Sequence, residues 1–216
     1  MKRLSNQHGV GLVEVLVAVL LLSVAVLGFS ALQIRAISAT DESLVRTKSL
    51  TVVRNLAEVM RAYPEAYVTG NGTAFTSVAS DTTNAVPTIQ AVVSSIATET
   101  VIIDGKSVSI LATGNNCLST EIITVDSKKV AKQPCSINQL AARDALMIKK
   151  TATDESLKVT IVTCPGTTVQ AIQKQMCIIT AWSDTKAMLD NNDVLACANS
   201  NGVYKTGSNC LISEAY

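Results

Sequence analysis

The sequence predicts an α+β protein: a long N-terminal helix whose first half spans a membrane, packed on a small antiparallel β-sheet domain held by disulfides. Three observations predict it. Val15 to Ile34 carries no charge, and at ~1.5 Å per residue those residues cover about 30 Å, the hydrocarbon thickness of a bilayer. Helical character then continues with no Pro before Pro64. All six cysteines lie beyond that helix, among short β-branched runs bounded by turn residues.

The apolar run follows a short head, Met1 to Gly9, that carries Lys2 and Arg3. Those two cations orient the head to the cytoplasm. Glu14 stands at the start of the greasy stretch. A carboxylate in a membrane segment costs roughly 2.5–3.5 kcal/mol on insertion scales and marks a functional site that needs a partner. The nearest candidate partner is an amine freed by cutting after Gly9.

At these residues the chain resembles the type IV prepilin family, whose signal is a short basic leader ending in Gly, cleavage after that Gly, and Glu at the fifth mature position before an apolar helix. Gly9 matches the last leader residue, Val10 the new N-terminus and Glu14 the glutamate. Most members start with Phe or Met, so Val10 departs from the common pattern, and in this the chain is most similar to the PilV-type minor pilins. The resemblance implies cutting by a prepilin peptidase, methylation at Val10 and insertion into a filament through Glu14. A conventional signal cut near Ala36-Ile37-Ser38 and an uncut single-pass anchor are the alternatives; neither accounts for Gly9 or Glu14.

Beyond Gln33 the helix turns amphipathic, with Val45, Val52, Leu56, Val59 and Tyr63 on one face and Arg54, Glu58 and Arg61 on another. One helix from Val10 to Tyr63 would be about 80 Å long. The expected organisation is therefore a leader at 1–9, a membrane or filament-core helix at 10–34, its amphipathic continuation at 35–63, and a periplasmic globular domain at 64–216.

Pro64 to Thr100 is rich in Thr, Ser, Asn, Ala and Gly and reads as a surface loop with a short helix around Ile89 to Ile96. Val101-Ile102-Ile103 and Val108 to Ala112 flank Asp104-Gly105, a hairpin signal. Glu121 to Val125 is a further strand, and Lys128, Lys129 and Lys132 follow as a solvated loop. Ser136-Ile137-Asn138-Gln139 has the form of a capping box. It opens a helix to Lys150, with Ile137, Leu140, Ala141 and Ile148 inward and Lys149 and Lys150 at its C-terminal end. Leu157 to Cys164 and Met176 to Trp182 read as the strongest strands, with a turn at Pro165-Gly166. Trp182 reads as a core or sheet-covering aromatic.

Cys117, Cys135, Cys164, Cys177, Cys197 and Cys210 point to an oxidising compartment, and six cysteines allow fifteen pairings. The expected set joins sequential couples: Cys117 with Cys135, Cys164 with Cys177, and Cys197 with Cys210. No couple has zinc-ligand spacing, and the single His8 sits in the head. Asp190-Asn191-Asn192-Asp193 lacks the alternation of an EF-hand loop and reads as a helix-ending turn. No metal or other cofactor is expected.

Removing Met1 to Gly9 leaves 16 basic against 17 acidic residues, so no basic excess points to nucleic acid as a partner. Neither a glycine-rich phosphate loop nor a nucleophile elbow occurs, and the mature chain has no His. The expected function is structural rather than enzymatic: a minor pilin that takes part in type IV pilus initiation or the tip complex. A type II secretion pseudopilin shares the N-terminal signature, and a membrane-anchored periplasmic binding module or adhesin is the reading from another class. The resemblance implies a prepilin peptidase, other minor and major pilins, the inner membrane and a tip adhesin as partners. It places the chain in the bacterial inner membrane before assembly, with its domain in the periplasm, and at or near the pilus tip afterwards.

Overall fold

The computed structural model describes residues 11–77, 85–111, 122–131, 135–165 and 175–215. The chain divides into two units, Met1–Val45 and Arg46–Tyr216. Helix α1, Leu12–Ala62, contributes to both. It opens where the Glu14 and Val15 amides donate to the Gly11 carbonyl, at 2.9 and 3.3 Å.

In the first unit the apolar helix is long and greasy enough to cross a membrane, and none of its most apolar window is buried. Its few hydroxyls are satisfied within the helix. Ser23 Oγ donates to the Val19 carbonyl at 2.7 Å, and Ser30 Oγ to that of Val26 at 2.9 Å. No side-chain donor of these serines is left facing hydrocarbon, where an unmet polar group is costly.

In the second unit α1 buries Ser49, Val52, Val53, Leu56, Ala57 and Met60. That stripe corrects the expected face: Val52 and Leu56 are inside, but Val45, Val59 and Tyr63 are only half-buried. The helix turns Ser49, Val53, Ala57 and Met60 onto the domain instead. Arg54, Glu58 and Arg61 face solvent as expected.

The segment expected as a surface loop contributes to the core instead, while the short helix expected around Ile89 to Ile96 is present. Strands β1 (Tyr67–Asn71), β2 (Ala74–Ser77) and β3 (Val86–Pro87) lead into helix α2 (Thr88–Ser94). Val68, Phe75, Ile89, Val92 and Val93 are all buried. Gly70, near the end of β1, has φ 107°, and a Cβ there would lie 2.7 Å from the Ala74 carbonyl oxygen, so only glycine fits where β1 meets β2.

Strands β4 (Thr100–Ile103) and β5 (Lys106–Ser109) form the expected hairpin, with Asp104 and Gly105 at φ 52° and 74°. The second strand ends at Ser109, and Ala112 lies outside the described residues. The five strands pair in the order β3-β1-β2-β4-β5, with β2 and β4 parallel and the other neighbours antiparallel.

Strands β6 (Ile122–Val125) and β7 (Lys128–Ala131) form a second hairpin. Its turn residues, Asp126 and Ser127, both have positive φ without glycine. Lys128 and Lys129 are therefore exposed strand residues, which corrects the expected loop; Lys132 lies outside the described residues.

Helix α3, Ile137–Asp154, starts with the capping box in full. Gln139 N donates to Ser136 Oγ at 3.2 Å, and Ser136 N to Gln139 Oε1 at 3.0 Å. The buried face is Ala141, Ala142, Ala145 and Leu146, with Ala152 further on. Ile137 is exposed, Leu140 and Ile148 are half-buried, and the helix runs a turn past Lys150. An alanine face lets α3 lie close to α2, so bulkier residues are displaced to its margins.

The remaining core is a three-stranded antiparallel sheet in the order β12-β9-β8: β8 (Lys158–Thr163), β9 (Met176–Ala181) and β12 (Cys210–Glu214). Every residue of β9 is buried, as its β-branched composition and central place require. Strands β10 (Lys186–Leu189) and β11 (Ala196–Ala198) pair in parallel beside it. Asp190 to Asp193 thus follows a strand rather than ending a helix. Asp190 Oδ1 accepts from the Asn192 and Asp193 amides at 2.6 and 3.1 Å, folding the segment back on itself.

Candidate functional site

Glu14 lies in the first turn of α1, exposed, where the positive end of the helix dipole favours a carboxylate. Ala18 and Leu22 share its face of the helix, one and two turns on. Around them Leu16, Val19, Leu20, Leu21, Leu27, Phe29 and Leu32 are all more than half exposed. Soluble proteins seldom present so long an apolar surface to water; a lipid bilayer or other subunits must cover it. The arrangement is that of an insertion element with a single charge at its leading end. Gly9 and Val10 lie outside the described residues.

In the second unit, α1 is fastened to the globular domain by polar contacts at both ends of its buried stripe. Ser49 and Thr180 of β9 share a buried hydroxyl–hydroxyl hydrogen bond, and Lys48 pairs with Glu155 just after α3. At the far end Tyr63 Oη donates to Asp144 Oδ2 at 2.7 Å, and Arg61 Nη2 to the Ala215 carbonyl at 3.3 Å. The Asp144 hydrogen bond, with help from burial, raises the Tyr63 phenol above its ordinary pKa. Sequence reasoning missed these fastenings. Ser49 within an otherwise apolar stripe was the available signal.

A second set of contacts locks α3 to α2. Lys149 Nζ donates to the Ser95 and Val92 carbonyls, at 2.6 and 3.3 Å, at the C-terminal end of α2. The Val92 carbonyl also accepts from the Ser95 amide and Ser95 Oγ, at 3.3 and 2.8 Å, and the negative end of the helix dipole favours an ammonium there. Burial pushes the Lys149 amine down to about 8. The lysine expected to serve its own helix end serves a neighbour's.

Disulfides join Cys164 to Cys177 and Cys197 to Cys210. The first ties the end of β8 to the start of β9, and the second ties β11 to β12. Cys135 stands just before the capping Ser136, and Cys117 lies outside the described residues. Trp182 is 6% exposed, at the end of β9. Among the described residues no cluster of three His, Cys, Asp or Glu side chains is arranged to hold a metal ion.

Two family matches divide the N-terminal part of the chain between them. The prokaryotic N-terminal methylation motif matches residues 4–30, which include Gly9, Val10, Glu14 and most of the exposed apolar helix. The Tt1218-like family, described as type IV pilin Tt1218, matches residues 31–99, from the later turns of α1 through α2. Together the two matches support a type IV prepilin-family protein. No curated protein and no solved structure matches it.

As a prepilin, the chain is a pilin-type subunit, and pilins are structural rather than enzymatic. The methylation motif implies processing by a prepilin peptidase and assembly with other pilins. The bare apolar helix fits a membrane anchor that later enters a pilus. The Tt1218-like match begins in the helix and covers β1, β2, β3 and α2, so the segment whose composition looks like a loop belongs to the pilin domain.

Proposed function

We propose that this pilin is a minor one, a structural subunit of the initiation or tip complex of a type IV pilus and similar to the PilV-type proteins. Its peptidase cuts after Gly9, and the Val10 amine is then methylated. Before assembly the chain crosses the inner membrane once, with the globular domain in the periplasm. After assembly it sits at or near the pilus tip, beside other minor and major pilins and a tip adhesin. Cys117 pairs with Cys135, completing three disulfides that suit the periplasm and the cell exterior.

The observation that carries this reading is a single carboxylate, Glu14, at the head of the uncharged and uncovered stretch of α1 from Val15 to Ile34. In the bilayer that carboxylate is poorly satisfied. In the filament it pairs with the Val10 amine of a neighbouring subunit, which favours extraction from the membrane and fixes the axial register. Removing one partner of such a buried pair costs about 3–5 kcal/mol.

Glu14→Ala should therefore be processed normally yet be depleted from sheared pili, as read by immunoblot of the pilus and membrane fractions. Undiminished incorporation of the variant would refute the pairing.

A further inference from the structure

A pocket of about 380 Å³ lies on the globular unit where α2, α3, β8 and β10 meet, near the lower end of small-molecule sites. Lys149 of α3 and Lys158 of β8 both line it, and Val93, Leu157, Val159 and Ala187 form its apolar part. No carboxylate stands among the lining residues.

Each of the two ammonium groups is held by neutral oxygens. Lys149 Nζ donates to the Ser95 and Val92 carbonyls, and Lys158 Nζ to those of Ser183 and Thr185, at 2.8 and 3.0 Å. An ammonium has three N–H donors, so each lysine keeps one for a ligand.

The acidic side chains of the surrounding elements are engaged elsewhere. Glu99 and Asp154 take Lys150 at 3.3 and 3.5 Å, Glu155 pairs with Lys48, and Asp193 with Lys186 of β10 at 2.6 Å. Helix α2 and strand β4 carry no ionisable side chain, β8 carries Lys158 alone and β5 Lys106 alone. Among the described residues neither Lys149 nor Lys158 has a carboxylate partner. Burial with no opposing charge pushes the Lys149 amine down to about 8. The pocket thus holds two cations, one of them half-buried, and no anion to meet them.

The donors themselves select the kind of anion. Lysine is a point charge suited to phosphoryl oxygens, whereas a planar carboxylate favours the bidentate fork of Arg. No Arg lines the pocket.

We propose that this pocket binds a small phosphate monoester. Its phosphoryl oxygens accept from Lys149 and Lys158, and its organic body packs on Val93, Leu157 and Val159. The ester is a free solute or the headgroup of a lipid, and the same two ammonium groups serve both.

The full-length protein, isotope-labelled at lysine, is followed by NMR in detergent micelles as glycerol phosphate, glycerol or succinate is added. A parallel series uses micelles doped with short-chain phosphatidic acid or phosphatidylcholine. Glycerol phosphate or phosphatidic acid should shift the Lys149 resonance saturably and raise its titration midpoint above about 8. Succinate should do so much less, and glycerol and phosphatidylcholine not at all. Because the bound anion retains the Lys149 proton, affinity should fall up to about tenfold per pH unit between the free and bound midpoints. Lys158→Gln, at an exposed strand position, should weaken binding about tenfold, and Lys149→Gln at least as much. A response to glycerol phosphate assigns a free ester, and a response to phosphatidic acid alone assigns a lipid headgroup. No response to either ester, an equal one to glycerol, succinate or phosphatidylcholine, or unaltered affinity in Lys158→Gln would each overturn the assignment.

Discussion

The Cys197–Cys210 disulfide should be worth about as much as Cys164–Cys177, although the two staple different parts of the domain. Each spans a sequence separation of 13. In the chain-entropy model a loop of that length loses about 10 cal/mol/K in the unfolded ensemble, or about 3 kcal/mol at room temperature. The perturbation is the replacement of both cysteines of one pair by Ala, made separately for each pair. Cys164–Cys177 joins two strands already paired over six positions of register. Cys197–Cys210 joins β11 to β12, which otherwise communicate through the Ala198–Tyr204 bridge and the Tyr204–Ile212 hydrogen bond. Equal losses would place the effect in the unfolded chain, because the native surroundings differ so much. The assay is urea unfolding of the full-length protein in micelles, followed by Trp182 fluorescence and far-UV circular dichroism. A loss near 3 kcal/mol for each pair is the expected result, large against the 5–15 kcal/mol stability of an ordinary domain. A loss under about 1 kcal/mol for either pair, or a gap of more than about 2 kcal/mol between them, would refute the loop-entropy reasoning.

Three further perturbations test the packing. Ser136→Ala removes the hydroxyl that caps α3 and should cost about 1 kcal/mol in the same unfolding assay, whereas Ser136→Asp should retain most of the stability. Tyr63→Phe deletes the bond to Asp144 and should cost about 1 kcal/mol at neutral pH, a low value because the pair is only half-buried. The folded pKa of Tyr63 lies above its unfolded value of 10.0. The pair's contribution is therefore complete below that pH and is lost as pH rises through the raised folded value, a decline that Tyr63→Phe should abolish. Lys149 behaves oppositely: its folded pKa of about 8 lies below the unfolded 10.5, so the unfolded chain holds more protons across that window. Stability should rise with pH there, and NMR of methylated lysines should find Lys149 titrating near 8; a midpoint near 10.5 would refute its desolvation.

Much of the fold was legible in residue patterns whose physics is local. An uncharged apolar run needs no tertiary knowledge to be recognised as a helix. Ser136 with Gln139 states its own hydrogen bonds, and Asp104-Gly105 carries the positive φ of its turn. The Asp126-Ser127 turn was less visible because its positive φ values are reached without glycine.

What escaped the sequence depended on tertiary contact. The segment from Pro64 to Pro87 looked like a loop because β1, β2 and β3 are short and mix Thr, Gly and Ser with Val. Even Thr88 is buried, its Oγ1 donating to Asn138 Oδ1 at 3.2 Å. Beyond it the short helix expected around Ile89 to Ile96 was legible, and α2 runs Thr88–Ser94. The inner face of α3 was misjudged because size was weighted over fit: the site takes alanines, and Ile137 is left outside. Lys149 was assigned to its own helix end, yet the carbonyls it serves belong to α2, a helix whose place no local rule specifies. Glu14, at the head of its bare helix, was singled out by cost alone, since a charge in an apolar run demands a reason.

The most direct test of the account is the N-terminus of the membrane-bound protein, measured by intact-mass and terminal-peptide mass spectrometry with and without a prepilin peptidase. The account predicts a peptidase-dependent start at Val10 bearing one added methyl group. An intact Met1, or a start near Ala39, would contradict it and leave Glu14 without the amine that its position requires.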